Sequence, residues 1–137
     1  MGDAGAPDIC TRTARFWLDA DGILRIIVLP NAEEGLEDAK NNRRVIKEFL
    51  VDGKLPPRLL DIRGMKSSTR EARQYSTMAN RPGENDPMAL VIGSGYSKVA
   101  ANFFIALRRP WMQAHPHIRF FTSESEAKAW LKGFLHG

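Results

Sequence analysis

The chain has 137 residues, 43% hydrophobic and 26% charged, the size and composition of one globular domain with a single core. Its one cysteine, Cys10, excludes an internal disulfide and points to a reducing, cytoplasmic setting, and the lack of a long apolar run or a charged-then-apolar leader argues against a membrane-spanning or secreted chain. The net charge of +4 is mild, and Arg43, Arg44, Arg70, Arg73, Arg108 and Arg109 are scattered rather than interleaved with aromatics on one element, which argues against nucleic-acid binding.

Residues 1 to 12 are small, polar and without period, and are expected to form a flexible tail. A domain is expected from 13 to 137. Ala14 to Leu18 reads as a strand with Phe16 and Leu18 on one face and Trp17 on the other. Asp19-Ala20-Asp21-Gly22 is a hairpin turn, and Ile23 to Leu29 is the return strand, ended by Pro30-Asn31. Leu36, Ala39, Ile46, Phe49 and Leu50 recur at helical spacing, so a helix is predicted over 35–51, stopped by Gly53.

Pro56-Pro57 forces an extended entry into a third strand, Arg58 to Ile62. A second helix is predicted from Thr69 to Ala79, with Ala72, Tyr75 and Ala79 facing inward. After the loop at 81–87, Met88 to Ile92 is the continuous apolar run of a strand buried on both faces. Gly93-Ser94-Gly95-Tyr96-Ser97 turns into a helix over 98–109, ended by Pro110. Ile118 to Phe121 is the last strand, and Glu124 to Leu135 the last helix, opened by the capping box Ser123-x-x-Glu126. The order β-β-α-β-α-β-α-β-α implies a single α/β domain. Its sheet of about five strands is mixed and mostly parallel, with about four helices and an opening β-hairpin.

Two strand-to-helix junctions carry the candidate chemistry. At the first, Leu59-Leu60-Asp61-Ile62-Arg63-Gly64-Met65-Lys66-Ser67-Ser68-Thr69-Arg70-Glu71 passes from an apolar strand through a hydroxyl-rich turn. Ser68-x-x-Glu71 fits a capping box, which accounts for the Ser68 hydroxyl. Ser67 lies outside that box. It is either a solvated turn serine or a phospho-acceptor whose added charge Lys66, Arg70 and the helix N-terminus would meet. Asp61 either accepts backbone N–H bonds of the turn or acts in catalysis.

At the second junction, Gly93, Ser94, Gly95, Tyr96 and Ser97 form either a tight turn capped by Ser97 or a loop whose backbone N–H groups approach an anion or ligand. The spacing matches no dinucleotide or Walker pattern. If the third and fourth strands are parallel, both junctions lie at the carboxyl edge of the sheet, where ligands of open α/β sheets gather. His115 and His117 stand apart from any cysteine or carboxylate cluster, so no metal site is expected, and no cofactor motif is present. No Gly-x-Ser-x-Gly elbow occurs, and serine, acid and base are not assembled by any recognised spacing, so an enzyme is not expected. Val99, Phe103, Phe104, Leu107, Trp111 and Met112 make the 98–109 helix region strongly apolar. That pattern fits packing on the sheet, self-association or a lipid-like ligand.

Over residues 14 to 135 the chain resembles the STAS superfamily, the domain of bacterial anti-sigma-factor antagonists, and most of all its stand-alone members of uncharacterised role. The resemblance rests on the opening hairpin, on Leu59-Leu60-Asp61-Ile62-Arg63-Gly64 leading to Ser67-Ser68, and on Phe120-Phe121-Thr122-Ser123-Glu124-Ser125-Glu126-Ala127-Lys128-Ala129-Trp130-Leu131. In the antagonists this turn reads Asp-Ser-Ser-Gly, and a partner kinase phosphorylates the first serine. By position that serine is Ser67, with Lys66 in place of the Asp, Thr69 in place of the Gly, and a shorter turn. The resemblance implies a non-enzymatic regulatory module that docks on a signalling protein through the Ser67 edge, as a monomer or a homodimer. Some proteins of this fold hold an acyl chain between helix and sheet, which implies the alternative of a small-ligand or lipid-binding domain of STAS or CRAL-TRIO type.

Overall fold

The computed structural model describes residues 7–79, 87–92 and 118–135. In chain order the elements are β1 (Asp8–Cys10), β2 (Ala14–Leu18), β3 (Leu24–Val28), β4 (Ala32–Glu34) and α1 (Leu36–Ile46), which runs into a 3-10 turn at Lys47–Phe49. Then come β5 (Arg58–Asp61), β6 (Met65–Ser68), α2 (Arg70–Ala79), β7 (Met88–Val91), β8 (Ile118–Phe121) and α3 (Glu124–Leu135). Among the described residues, six strands form one sheet in the order β1-β2-β3-β5-β7-β8, and β4 and β6 form a separate parallel pair. β1, β2 and β3 are antiparallel neighbours, whereas β3, β5, β7 and β8 are parallel. The α/β architecture with a mixed, mostly parallel sheet and an opening hairpin is therefore present.

The hairpin forms as its sequence dictates. Gly22 takes φ +85, and the Asp19 carboxylate accepts the N–H groups of Asp21 (2.8 Å) and Ile23 (3.1 Å), closing the turn on itself. The predicted helix over 35–51 is shorter, because the last turn tightens into the 3-10 segment and Leu50 is extended and exposed. Asp52 and Gly53 then take positive φ in a tight turn closed by the Val51–Lys54 bridge.

Side chains alternate across the sheet. Ile23, Leu59, Ala89 and Val91 pack with Ala127 and Leu131 of α3, while Ala14, Phe16, Leu24 and Ile26 pack with Phe49 on the other face. α1 and α2 lie against one another, and α3 spans β5, β7 and β8.

The strand pattern also departs from expectation. The tail expected over 1–12 contains β1, whose residues pair with Arg15, Phe16 and Trp17; three residues are too short a run to announce a strand by alternation. The hydroxyl-rich turn is a strand: Met65–Ser68 pairs in parallel with Ala32–Glu34, so Ser67 and Ser68 are held in a ladder. The helix expected over 98–109, with Val99, Phe103, Phe104, Leu107 and the following Trp111 and Met112, lies outside the described residues. So does the loop Gly93, Ser94, Gly95, Tyr96 and Ser97, and so do His115 and His117.

Candidate functional site

The carboxyl ends of the parallel strands β3 and β5 lead into the small β4–β6 sheet. Between β5 and β6 the chain turns at Ile62-Arg63-Gly64, where Asp61 accepts the Arg63 N–H at 3.0 Å. Gly64 packs so closely on the end of β3 that a Cβ there would lie 2.8 Å from the Val28 carbonyl oxygen. Its own carbonyl accepts the Asn31 N–H at 2.8 Å, and Asn31 takes φ +63 to enter β4. These contacts fix β6 beside β4.

In that pair Met65 lies opposite Ala32, Ser67 opposite Glu33 and Ser68 opposite Glu34, with Lys66 skipped in the register. A skipped residue bends its strand and turns its side chain outward. Lys66 is exposed and its ammonium lies 3.9 Å from the Glu33 carboxylate. Ser67 is exposed, and among the described residues its hydroxyl makes no hydrogen bond. Ser68 is half-buried and accepts from the Arg73 guanidinium at both its carbonyl (2.5 Å) and its hydroxyl (3.2 Å).

The cap of α2 is Thr69. Its hydroxyl accepts the Ala72 N–H at 3.1 Å, and its own N–H donates to the Glu34 carbonyl at 2.9 Å. This corrects the capping box expected from Ser68, and the reason is the β4–β6 ladder: it holds Ser68 in a strand and moves the helix start one residue on. Arg70 is exposed in the first turn.

Around this edge lies a set of carboxylates that the sequence reading missed. Arg12 donates to both oxygens of Asp38 (2.8 and 2.5 Å) and to the Glu33 carbonyl (2.6 Å), so the segment before β2 is tied to β4 and α1. The Arg12 hydrogen bonds hold the Asp38 carboxyl below the usual carboxylate range, against a smaller opposing effect of burial, and Asp38 also accepts the Gly35 N–H at 2.9 Å. Glu34 is pushed the other way. Burial raises its carboxyl, the hydrogen bond from Asn42 (3.2 Å) offsets part of that, and the charge of Asp38 adds to it. Asn42 in turn donates to the buried Thr13 at 3.0 Å and accepts from Thr11 at 2.6 Å.

Asp61 belongs to a different group. It lies on the α3 face and takes a bidentate pair from Arg63 (3.0 and 2.7 Å). Burial alone would raise its carboxyl, but the Arg63 side-chain and backbone hydrogen bonds and the charges of Arg63 and Arg25 together bring it below its usual value. Arg63 lies 3.7 Å from Glu124, Glu124 lies 2.6 Å from the buried Arg25, and Arg25 lies 3.6 Å from Asp19. Lys128 continues the chain to Asp19 and to Asp21. Arg25 was legible as an anomaly, a charged residue inside the apolar run Ile23 to Leu29, but its partners are far away in sequence.

The site therefore divides. Lys66 and Ser67 join Glu33 on an exposed strand edge, Ser68 and Thr69 are committed to the start of α2, and Asp61 is occupied by Arg63 on the other face. Because β5 and β7 are parallel, their carboxyl ends lie at the same edge of the sheet; Gly93 to Ser97 lie outside the described residues. Among the described residues no cluster of histidine, cysteine or carboxylate side chains could hold a metal, and no helix is long and apolar enough to cross a membrane.

Comparison with known proteins places this geometry in a family. The model of the family described as Domain of unknown function (DUF7793) matches residues 16–135. The chain belongs to that family. Like this DUF7793 member, an uncharacterised protein of the DUF3478 family from Shewanella loihica PV-4 has a SpoIIAA-like fold. Its crystal structure superposes with a TM-score of 0.62 at 16% identity, covering 91% of this chain and 98% of that one. The DUF7793 chain thus has a SpoIIAA-like fold, and at this identity the likeness shows the fold alone. No curated protein matches it.

Proposed function

We propose that this DUF7793 protein is a non-enzymatic regulatory module of STAS type that binds a protein partner through the β4–β6 edge, with Ser67 at its centre. One observation carries the reading. Ser67, on a strand fixed by its ladder, is exposed and, among the described residues, its hydroxyl makes no hydrogen bond, while the Ser68 and Thr69 hydroxyls on either side of the helix start are engaged within the chain. A rigid strand with an outward lysine, an outward serine and an adjacent glutamate offers a partner both charge signs on a surface that needs no reordering. The absence of a recognised serine–acid–base spacing in the sequence supports a binding role over catalysis.

The pairing of Lys66 with Glu33 also bears on phosphorylation. A phosphoryl group on Ser67 would face Glu33 across the ladder and compete with it for Lys66. Partner affinity is therefore expected to fall in Ser67→Asp and to change little in Ser67→Ala. Quantitative co-purification of the partner with each variant checks this, and equal capture by the two would remove the phospho-switch from the proposal. The small-ligand and acyl-chain alternative rests on Gly93–Ser97 and on the apolar 98–109 segment, and it has no support from the described residues.

A further inference from the structure

Among the described residues β1 is the outer strand of the six-stranded sheet on the hairpin side, and its hydrogen-bond parity is fixed. The Thr11 N–H donates to the Ala14 carbonyl at 2.8 Å. In an antiparallel ladder successive residues turn their backbone groups to opposite sides, so residues 9 and 11 face β2 while Asp8 and Cys10 face outward. Both Asp8 and Cys10 are exposed. Pro7 has the inward parity, so no proline interrupts the outward row.

We infer that this edge pairs with the same edge of a second copy of the chain, antiparallel, about a two-fold axis through Ile9. That register sets Asp8 opposite Cys10 of the second copy, and each such pair exchanges both of its N–H···O bonds. The side chains fit the same axis. On one face Asp8 and Arg15 form a half-exposed ion pair at 2.8 Å. With strands ~4.8 Å apart and a rise of ~3.4 Å per residue, Asp8 would lie ~10 Å from Arg15 of the second copy, Cα to Cα, with only a cysteine between. Its own Arg15 is ~8 Å away on the diagonal, whereas the two arginines stay ~16 Å apart, so each acid gains a second base.

On the other face Ile9 would meet Ile9 of the second copy, and Phe16 would flank each, extending the cluster that Ile9 already joins. Leu18, Leu50 and Val51 are exposed large apolar residues bordering this same cluster in register or in sequence. A chain carrying one acid, one base and one apolar contact in this order is complementary to itself, which favours a second copy over a strand of single charge sign.

The test is the mass of the full chain by sedimentation equilibrium across a concentration series. A dimer is expected in the micromolar range, with its Kd weakened at least ~10-fold by Cys10→Pro, which removes an outward donor and keeps the inward ladder. A wild-type chain that stays monomeric at ~100 μM, or a folded Cys10→Pro dimer of unchanged Kd, overturns the inference. Cross-linking decides the case if Cys10→Pro fails to fold. Cys10 is the single cysteine, and the register brings two copies of it to ~8 Å, so a short bismaleimide should yield covalent wild-type dimer. A yield no higher than that of the denatured chain contradicts the pairing.

Discussion

Three adjacent hydroxyls at residues 67 to 69 do three different things, and the difference comes from backbone position. Thr69 satisfies an N–H of the first turn of α2, so Thr69→Ala is expected to cost about 1 kcal/mol, measured by urea unfolding. Ser67→Ala should fall within about 0.5 kcal/mol of wild type in the same assay, as for an exposed side chain that makes no hydrogen bond among the described residues. Glu34 gives a pH signature. Its folded carboxyl is raised above the ordinary value of 4.5 by burial, so the stability tied to its protonated form is present below that value and is lost as pH rises through the folded one. Glu34→Gln should therefore be the more stable protein at neutral pH, and the gap should close as the solution is acidified towards pH 4. Urea midpoints across pH 4 to 8 check it, and a constant gap would show that burial does not govern this group.

At the scale of elements, the long, strongly patterned segments were legible and the short ones were not. Ile23 to Leu29, Met88 to Ile92 and Glu124 to Leu135 declare themselves by apolar runs or helical period, and the Asp19–Gly22 turn by its residues. β1, β4 and β6 are only three or four residues long, and β4 and β6 are mostly polar, so no period forms within them; tertiary pairing makes them strands. That is also why the capping-box pattern points to Ser68 rather than Thr69: the rule for a capping box is local, and the β4 strand that claims Ser68 lies far earlier in the chain. Gly64 is the joint between the two sheets. Gly64→Ala would press a methyl group into the Val28 and Leu29 backbone, and a loss of about 1–3 kcal/mol is expected by urea unfolding. Retained stability would mean that the β5–β6 turn can shift, and Ser67 with it.

For the whole molecule, the alternation of strands and helices was enough to give an α/β domain with a mixed, mostly parallel sheet, because right-handed crossovers leave few ways to arrange it, while the SpoIIAA-like fold came from the family resemblance. The surroundings of the candidate site were not legible in the same way. Arg12 with Asp38, Lys66 with Glu33, and Arg25 with Glu124 are pairs that only the folded chain assembles. Those pairs hold the ends of β4, α1 and α3 about the carboxyl edge of the sheet and leave Ser67 outward. The central claim is that this edge receives a protein partner, and site-specific photo-cross-linking in the source cell tests it most directly. A photoreactive residue at position 67 should give one discrete heteromeric adduct that disappears when Lys66→Glu is added, while the same residue at the exposed position 48 gives none. No adduct from position 67, or the same adduct from both positions, would contradict the account.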